Sequence, residues 1–492
     1  MRELTYATVC SGVECMSAAA IGLPLRPVFF SEIEPFPCAV LKHRFPHVPN
    51  LGDMSRITVN EKGEITNGRT TVALPAGGLD ILAGGTPCQD VSNAGKRRGM
   101  QEGSGTRSSL AFEFIRLIRE LRPRYVVWEN VAGVLSDESF PKFLYAIADC
   151  GYGVAYRTLD AQYVRCADID LPDGGVVRLG RAVPQRRRRV WVVGCAGEDI
   201  GRASEILFEP QGVCGDRPPR RVTGQGTAEA ARGRARLPDC VVGCAGGFDP
   251  YEPGGVKSLN LEHAGTLVNG TCPGCHSGVV EVYENHAQDC RVKPCGEVAP
   301  TLNGKMGTGG NNVPLKAECF VKVSHARGAD GLGERRDEDG ADAVPRGVRG
   351  DACRQASRRS SRPNVASMRY VVRRLTPTEC ERLMGLPDGW TLPVFAPGEI
   401  TDALVDEFRR IHDTFGAVMA GYAGKPPPKP KTAAWTRKWL ERIANPATCP
   451  DAPRYKACGN GWAANQPRWI LLRVLAEEGI DPWNFEKGEI ET

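Results

Sequence analysis

A chain of 492 residues has room for two or three domains and a sizeable core. Apolar residues make up 41%, charged residues 25%, and the net charge is +5, too mild a surplus to argue for nucleic-acid binding, so any basic surface must be local. No apolar stretch reaches bilayer length and the first residues, MRELTYATVCSG, lack the order of a signal peptide. The nineteen cysteines therefore read as reduced thiols of a cytoplasmic protein with no membrane partner.

In chain order, residues 1–205 alternate β-branched apolar runs with helical patterns. YATVC, PVFFSE, LDILAGG, YVVWEN and VWVVG read as strands, several of them almost wholly apolar. Such runs separated by helices predict an α/β domain whose parallel sheet is covered on both faces. The clearest helix is SSLAFEFIRLIREL at 108–121, where Leu110, Phe114, Leu117, Ile118 and Leu121 recur at helical spacing before Pro123. Residues 206–365 lose this rhythm: glycine-rich and charged connectors flank short β-like pieces, predicting a smaller, irregular β-rich domain. Regular structure returns over 366–492, with Thr376 as an N-cap, Pro377 as first helical residue and Glu379 completing a capping box. KPPPKPK at 425–431 reads as a stiff spacer, followed by helical patterns in TAAWTRKWLERIA and NQPRWILLRVLAEEG.

In open parallel sheets ligands bind at the carboxyl ends of the strands, so the residues after each run form the candidate site. Gly12 follows the first run and Glu32, twenty residues on, follows the second: a tight turn and an acid placed for ribose hydroxyls. With one glycine where a pyrophosphate site has three, a nucleoside without phosphates fits best, and S-adenosylmethionine is the common cofactor of that description. Asp53 is a candidate partner for the adenine amino group. The competing reading makes Glu32 and Asp53 ordinary polar loop residues.

After LDILAGG comes Thr86-Pro87-Cys88, and after YVVW comes Glu129. A strand–helix–strand unit joins them and brings both to one rim. A thiol that ionises and a neighbouring carboxyl group suit attack on an electron-poor ring, the thiolate adding to carbon while the carboxyl meets the ring nitrogen. Arg187 and Arg189, just before VWVVG, supply cations for a ring carbonyl or a phosphate. Against these stand an inert core cysteine, a surface acid and a solvated arginine patch.

In this order the motifs resemble those of the DNA (cytosine-5) methyltransferases of bacterial and phage type. TVCSGVECMSAAA is similar to the first cofactor loop, GGTPCQDVSNAGKRRG to the Pro-Cys-Gln loop and WENV to the Glu-Asn-Val motif. QRRRR, through Gln185, Arg187 and Arg189, is similar to Gln-x-Arg-x-Arg; RRLTPTECERLMGLPDGW resembles the Arg-Leu-Thr-x-x-Glu motif and CGNGWAANQPRWI the closing Gly-Asn motif. The resemblance implies a Rossmann-like S-adenosylmethionine-dependent methyltransferase domain from residues 1–205 and 366–492, with a target-recognition domain at 206–365. It implies double-stranded DNA as substrate, a cytosine flipped into the pocket, Cys88 attacking carbon-6 and Glu129 holding N3 while carbon-5 takes the methyl group. Cofactor contacts are then expected at Cys10, Ser11, Gly12, Val13, Glu32, Ile33, Asp53, Pro87 and Asn460. DNA contacts are expected at Gln89, Ser92, Lys96, Arg97 and Arg98 on a closing loop, and catalytic contacts to base or backbone at Arg187 and Arg189. The expected protein is a monomer, with a cognate restriction endonuclease as candidate partner.

Two departures stand out. The family's Phe-x-Gly-x-Gly loop is here Cys10-Ser11-Gly12-Val13-Glu14, and the stretch between Trp390 and Gly459 is long and carries no assigned role. Competing functions are an RNA cytosine-5 methyltransferase and a catalytically silent DNA-binding protein. Cys272, Cys275, Cys290 and Cys295 have the spacing of a zinc knuckle; they suit reduced thiols in a loop-rich domain better, and no metal is expected.

Overall fold

The computed structural model describes residues 2–86, 110–166, 169–170, 176–177, 181–197, 200–208, 280–285, 292–296, 299–302, 314–324 and 365–481. The chain divides into two compact units, one from residues 1–230, 300–308 and 376–492, the other from 231–299 and 309–375.

The first unit opens with β1 (Leu4–Val9), α1 (Cys15–Ala20), β2 (Leu25–Ser31) and α2 (Pro35–Arg44). Three two-residue strands, β3 (Thr58–Val59), β4 (Ile65–Thr66) and β5 (Thr71–Val72), make a small antiparallel meander before β6 (Ile81–Gly84). Then come α3 (Leu110–Leu121), β7 (Tyr125–Val131), α4 (Ser139–Ala148) and β8 (Tyr152–Asp160). A short ladder of β9 (Ile169–Asp170) and β10 (Val176–Val177) precedes β11 (Arg188–Ala196) and α5 (Ile200–Leu207). The main sheet has six strands in the order β2-β1-β6-β7-β11-β8.

Strands β2, β1, β6 and β7 are parallel, as expected, while β11 runs antiparallel to both its neighbours. An all-parallel sheet is therefore corrected to a mixed one. The apolar run VWVVG reports that β11 is buried on both faces, and burial carries no sign of strand direction. Strand β8 has no counterpart in the sequence reading, because at the sheet edge its buried and part-exposed residues mix. The reversal of β11 matters for the site: the start of an antiparallel strand lies at the same edge as the ends of its parallel neighbours, so Arg187 and Arg189 meet the end of β7.

The core packs α3 and α4 on this sheet. Helix α3 buries Ala111, Phe114, Ile115, Leu117, Ile118 and Leu121 on one face, the stripe its spacing predicts. Trp128 of β7 lies against Phe140 and Phe143, with ring centroids 6.2 and 4.4 Å away. Gly84 ends β6 where a Cβ would stand 2.8 Å from Val9 Cγ2 and 3.0 Å from Phe114, so only glycine lets that helix ring reach the strand.

The second unit holds β12 (Val280–Asn285), β13 (Val292–Gly296), β14 (Leu315–Ser324) and β15 (Val365–Arg374). They form one four-stranded antiparallel sheet in the order β13-β12-β14-β15.

The chain then returns to the first unit through α6 (Pro377–Leu383), capped by Thr376 and Glu379 in the expected reciprocal box. The long stretch before Gly459 is a helical hairpin, α7 (Asp402–Tyr422) and α8 (Ala433–Ala444). His412 packs edge-on between Trp435 and Trp439, at 5.1 and 4.6 Å. KPPPKPK runs back along α7: Lys431 N donates to Asp413 Oδ1 at 3.0 Å, and a Cβ on Gly416 would lie 2.7 Å from Pro428. Helices α9 (Asp451–Asn460) and α10 (Asn465–Glu477) close the described chain. Among the described residues no helix is long and apolar enough to cross a membrane.

Candidate active site

The loop after β1 alternates left-handed residues: Cys10, Gly12 and Glu14 have φ of 51, 56 and 61°. Glycine adopts this conformation at no steric cost and other residues do not. Glu14 thus keeps the turn that a second glycine would supply. Gly12 N donates to Glu32 Oε2 at 2.7 Å, while Ile33 N and Glu34 N donate to Glu32 Oε1 at 2.9 and 2.7 Å. Burial raises the Glu32 pKa, opposed by these three N–H groups. Asp53 Oδ1 accepts from Ser55 N and Oγ at 3.0 and 2.7 Å. Each acid orders a turn at the rim. A Cβ placed on Gly12 or on Gly52 would meet nothing within 4 Å.

Later parts of the chain complete this end. Trp390 Nε1 donates to Val13 O at 2.7 Å, with the Arg44 guanidinium 4.4 Å from the same ring. Lys456 of α9 pairs with Glu34, and Asn460, the last residue of α9, is exposed. Cys10 Sγ contacts Met54 Sδ at 3.7 Å.

At the other end of the rim, Glu129 of β7 faces Trp191 in register and is 7% exposed, which removes the surface-acid reading. Arg189 Nε lies 2.8 Å from Glu129 Oε1, and the Trp462 indole hydrogen-bonds the same carboxyl group. Burial raises the Glu129 pKa; Arg189, Arg187 and Trp462 pull it back. Gly85 lies beneath this pair, where a Cβ would be 2.7 Å from Trp462 Nε1 and 3.3 Å from Glu129 Oε2. Gly84 at the end of β6 and Gly85 just after it thus each admit a large ring. Thr86 pins the next step: its Oγ1 accepts from Trp128 Nε1 at 3.0 Å, and its carbonyl accepts from Asn130 Nδ2 at 3.4 Å.

The expectation for Arg187 is corrected. It is 1% exposed, and its Nη1 donates to Leu302 O at 2.9 Å while Nη2 donates to Gly459 O at 3.1 Å and to Gly461 O. Burial, then Arg189, push its pKa down to about 9. A guanidinium committed to three carbonyls clamps the 459–461 turn that carries Trp462, instead of reaching a base. Trp462 itself was missed in sequence: its only signal is its place just after Gly459-Asn460-Gly461, and no spacing rule ties it to Glu129.

Residues 4–168 match the family profile described as C-5 cytosine-specific DNA methylase. That match spans about a third of the chain. Over 96% of its length it is 29% identical to a protein of Escherichia phage P1 named DNA N-6-adenine-methyltransferase, covering 61% of that protein. Over 33% of its length it is 32% identical to the Type II methyltransferase M.AquIA of Picosynechococcus, covering 60% of it. Among solved structures, the S. pombe Dnmt2 methyltransferase aligns with 98% of this chain and 100% of its own, at 12% identity and a TM-score of 0.44. The chain thus spans about three fifths of these two relatives' length.

The structure brings Cys10, Ser11, Gly12, Val13, Glu32, Ile33 and Asp53 to one end of the rim, and Glu129 and Arg189 to the other; Arg189 lies beyond the matched residues. Pro87, Cys88, Gln89, Ser92, Lys96, Arg97 and Arg98 lie outside the described residues, as do Cys272, Cys275 and Cys290; Cys295 falls on β13, its side chain not described. Among the described residues no group of His, Cys, Asp and Glu is arranged to hold a metal ion, and nine cysteines are free thiols.

Proposed function

We propose that this chain is a DNA (cytosine-5-)-methyltransferase that uses S-adenosylmethionine and a covalent Cys88 intermediate. The observation that carries the reading is the buried Glu129–Arg189 pair at the end of β7, beside the strand whose exit, four residues past Gly84, is Cys88. Glu32 and Asp53 would hold the ribose hydroxyls and the adenine amino group. When bound, the cofactor supplies a methyl carbon activated by a positively charged sulfur.

The residues of the chain do the rest. Cys88 thiolate adds to carbon-6 of an extruded cytosine, and the electron pair moves toward N3. Glu129, its pKa raised by burial, shares a proton with that nitrogen, while Arg189 orients the carboxyl group and offers its remaining N–H groups to the ring carbonyl. Carbon-5, now electron-rich, takes the methyl group and a neutral thioether leaves; a base then takes the carbon-5 proton and Cys88 departs as thiolate, which restores the ring. Residues 206–365 act as the target-recognition domain, and Lys96, Arg97 and Arg98 supply cations for phosphates.

The name of the phage P1 relative favours a second reading, transfer to the amino group of adenine. That amine carries its own lone pair and needs no thiol adduct, so Cys88 and Glu129 would then be idle. Because 39% of that relative lies beyond the match, as 61% is covered, its printed activity can belong to the unmatched part. Expression in a methylation-free host, followed by nucleoside mass spectrometry of its DNA, decides between them. The expected product is 5-methylcytosine; N6-methyladenine alone selects the second reading, and no methylated base in DNA rejects both.

A further inference from the structure

We infer that Glu14 is the positioning residue of the cofactor end: its carboxyl group locks the loop after β1 in register with the turns that present Glu32 and Asp53. This rests on the reading of that end as a S-adenosylmethionine site. Glu14 is 0% exposed, an unusual place for a carboxyl group that the proposed chemistry does not use. Its backbone is left-handed at φ 61°, which costs a non-glycine residue on the order of 1 kcal/mol or more. Two contacts offset that cost. Glu14 Oε2 accepts from Thr8 Oγ1 at 2.6 Å, and Oε1 accepts from Ser17 N at 3.3 Å as the N-cap of α1.

The first contact opens a polar relay under the rim. Thr8 Oγ1 lies 2.7 Å from Ser11 Oγ. Ser11 Oγ accepts from Ser31 N at 3.0 Å, and Ser11 N donates to Ser31 O at 3.1 Å. Ser31 Oγ donates to Gly52 O at 2.6 Å. The relay therefore runs from Glu14 through the ends of β1 and β2 to the residue before Asp53. Along it sit Gly12, whose N–H holds Glu32, Glu32 itself, and Asp53. A glycine at position 14 would make the turn cheaper and leave this relay without its buried anchor.

The test is calorimetric binding of S-adenosylhomocysteine to the wild-type protein and to Glu14→Gln, Glu14→Ala and Glu14→Gly, with melting of each free protein and steady-state kinetics. Glutamine can accept from Ser17 N and hydrogen-bond Thr8, so Glu14→Gln is expected to bind within about threefold of wild type. Glu14→Ala and Glu14→Gly are expected to weaken binding by about tenfold or more, raising KM for the methyl donor while kcat and KM for DNA stay within about threefold. Wild-type affinity in Glu14→Gly shows that the turn alone suffices and overturns the inference. So does a parallel fall in kcat and in DNA binding, which marks general damage to the fold. Failure of the wild-type protein itself to bind S-adenosylhomocysteine overturns the cofactor reading, and the inference with it.

Discussion

The two ends of the rim are built differently. At the cofactor end, the turns at Glu32 and Asp53 are held by their own neighbours and by adjacent strands, as in Gly12 N on Glu32 and Ser31 on Gly52, and the late chain adds Trp390 on Val13 and Lys456 on Glu34. At the base end, Glu129 depends on Arg189, sixty residues on, and on Trp462, which is held by Arg187 through the carbonyls of Gly459 and Gly461. Both ends use the late chain, but only at the Glu129 end is the late contact itself held by a buried clamp, Arg187 on the carbonyls of Gly459 and Gly461, so damage there propagates further.

The largest effect is expected where the chemistry has no substitute. Cys88→Ser should abolish transfer of a tritiated methyl group to DNA with the melting temperature unchanged; near wild-type transfer ends the covalent mechanism. Glu129→Gln should lower kcat by about a hundredfold to a thousandfold, as loss of a positioned proton donor does, with DNA affinity held within about threefold in a filter-binding assay. Equal losses in both would make Glu129 a structural residue and dissolve the contrast between the two ends.

Arg187→Ala tests the clamp. Three carbonyls lose a buried charged donor, so urea unfolding should show a loss of about 3 kcal/mol, against little change for Glu32→Gln, whose contacts are local. Trp462→Phe is milder: kcat should fall by about tenfold. Removal of a donor that favours the carboxylate raises the Glu129 pKa, so the limb of the pH–rate profile assigned to Glu129 should move to higher pH.

The smallest effect lies at the cofactor end. The Glu14 carboxyl is pushed up to about 8 by burial, so between the ordinary value of 4.5 and that pH the folded protein binds more protons than the unfolded chain. The stability this contributes is present in full below the unfolded value and is lost as pH rises through the folded one. Melting temperatures should therefore fall from pH 5 to about 8 more steeply in the wild-type protein than in Glu14→Gln. Of the groups that couple to Glu14, burial pushes Tyr6 and Cys15 up and away from this range, Cys15 to about 12, while Glu32 is raised toward it, so a Glu32→Gln background separates the share of Glu32. Identical slopes would show that the buried carboxyl group does not titrate in this range.

The central strands and several helices were legible in the sequence because burial and periodicity are local. The runs of β1, β2, β6, β7 and β11, the stripe of α3 and the box at Thr376 all follow from residues within one element. Gly12, Glu32 and Asp53 were legible for the same reason, each lying at the end of a recognisable run or turn. Edge strand β8 escaped because half-exposed residues give no clean period, and the hairpin of α7 and α8 because an amphipathic pattern interrupted by KPPPKPK does not reveal what it folds back upon.

By itself, the sequence determined which residues end each strand and which chemistries those residues allow, since side-chain type and spacing are properties of the chain alone. Only the tertiary structure decided that β11 runs backwards, that Arg187 spends its donors on carbonyls while Arg189 keeps company with Glu129, and that Trp462 belongs to the site. The physical reason is that direction and partner choice are fixed by hydrogen bonds and packing between segments far apart in the chain, 60 residues for Arg189 and Glu129 and 272 for Arg187 and Gly459, where one buried donor can satisfy only the acceptors that the final fold brings to it.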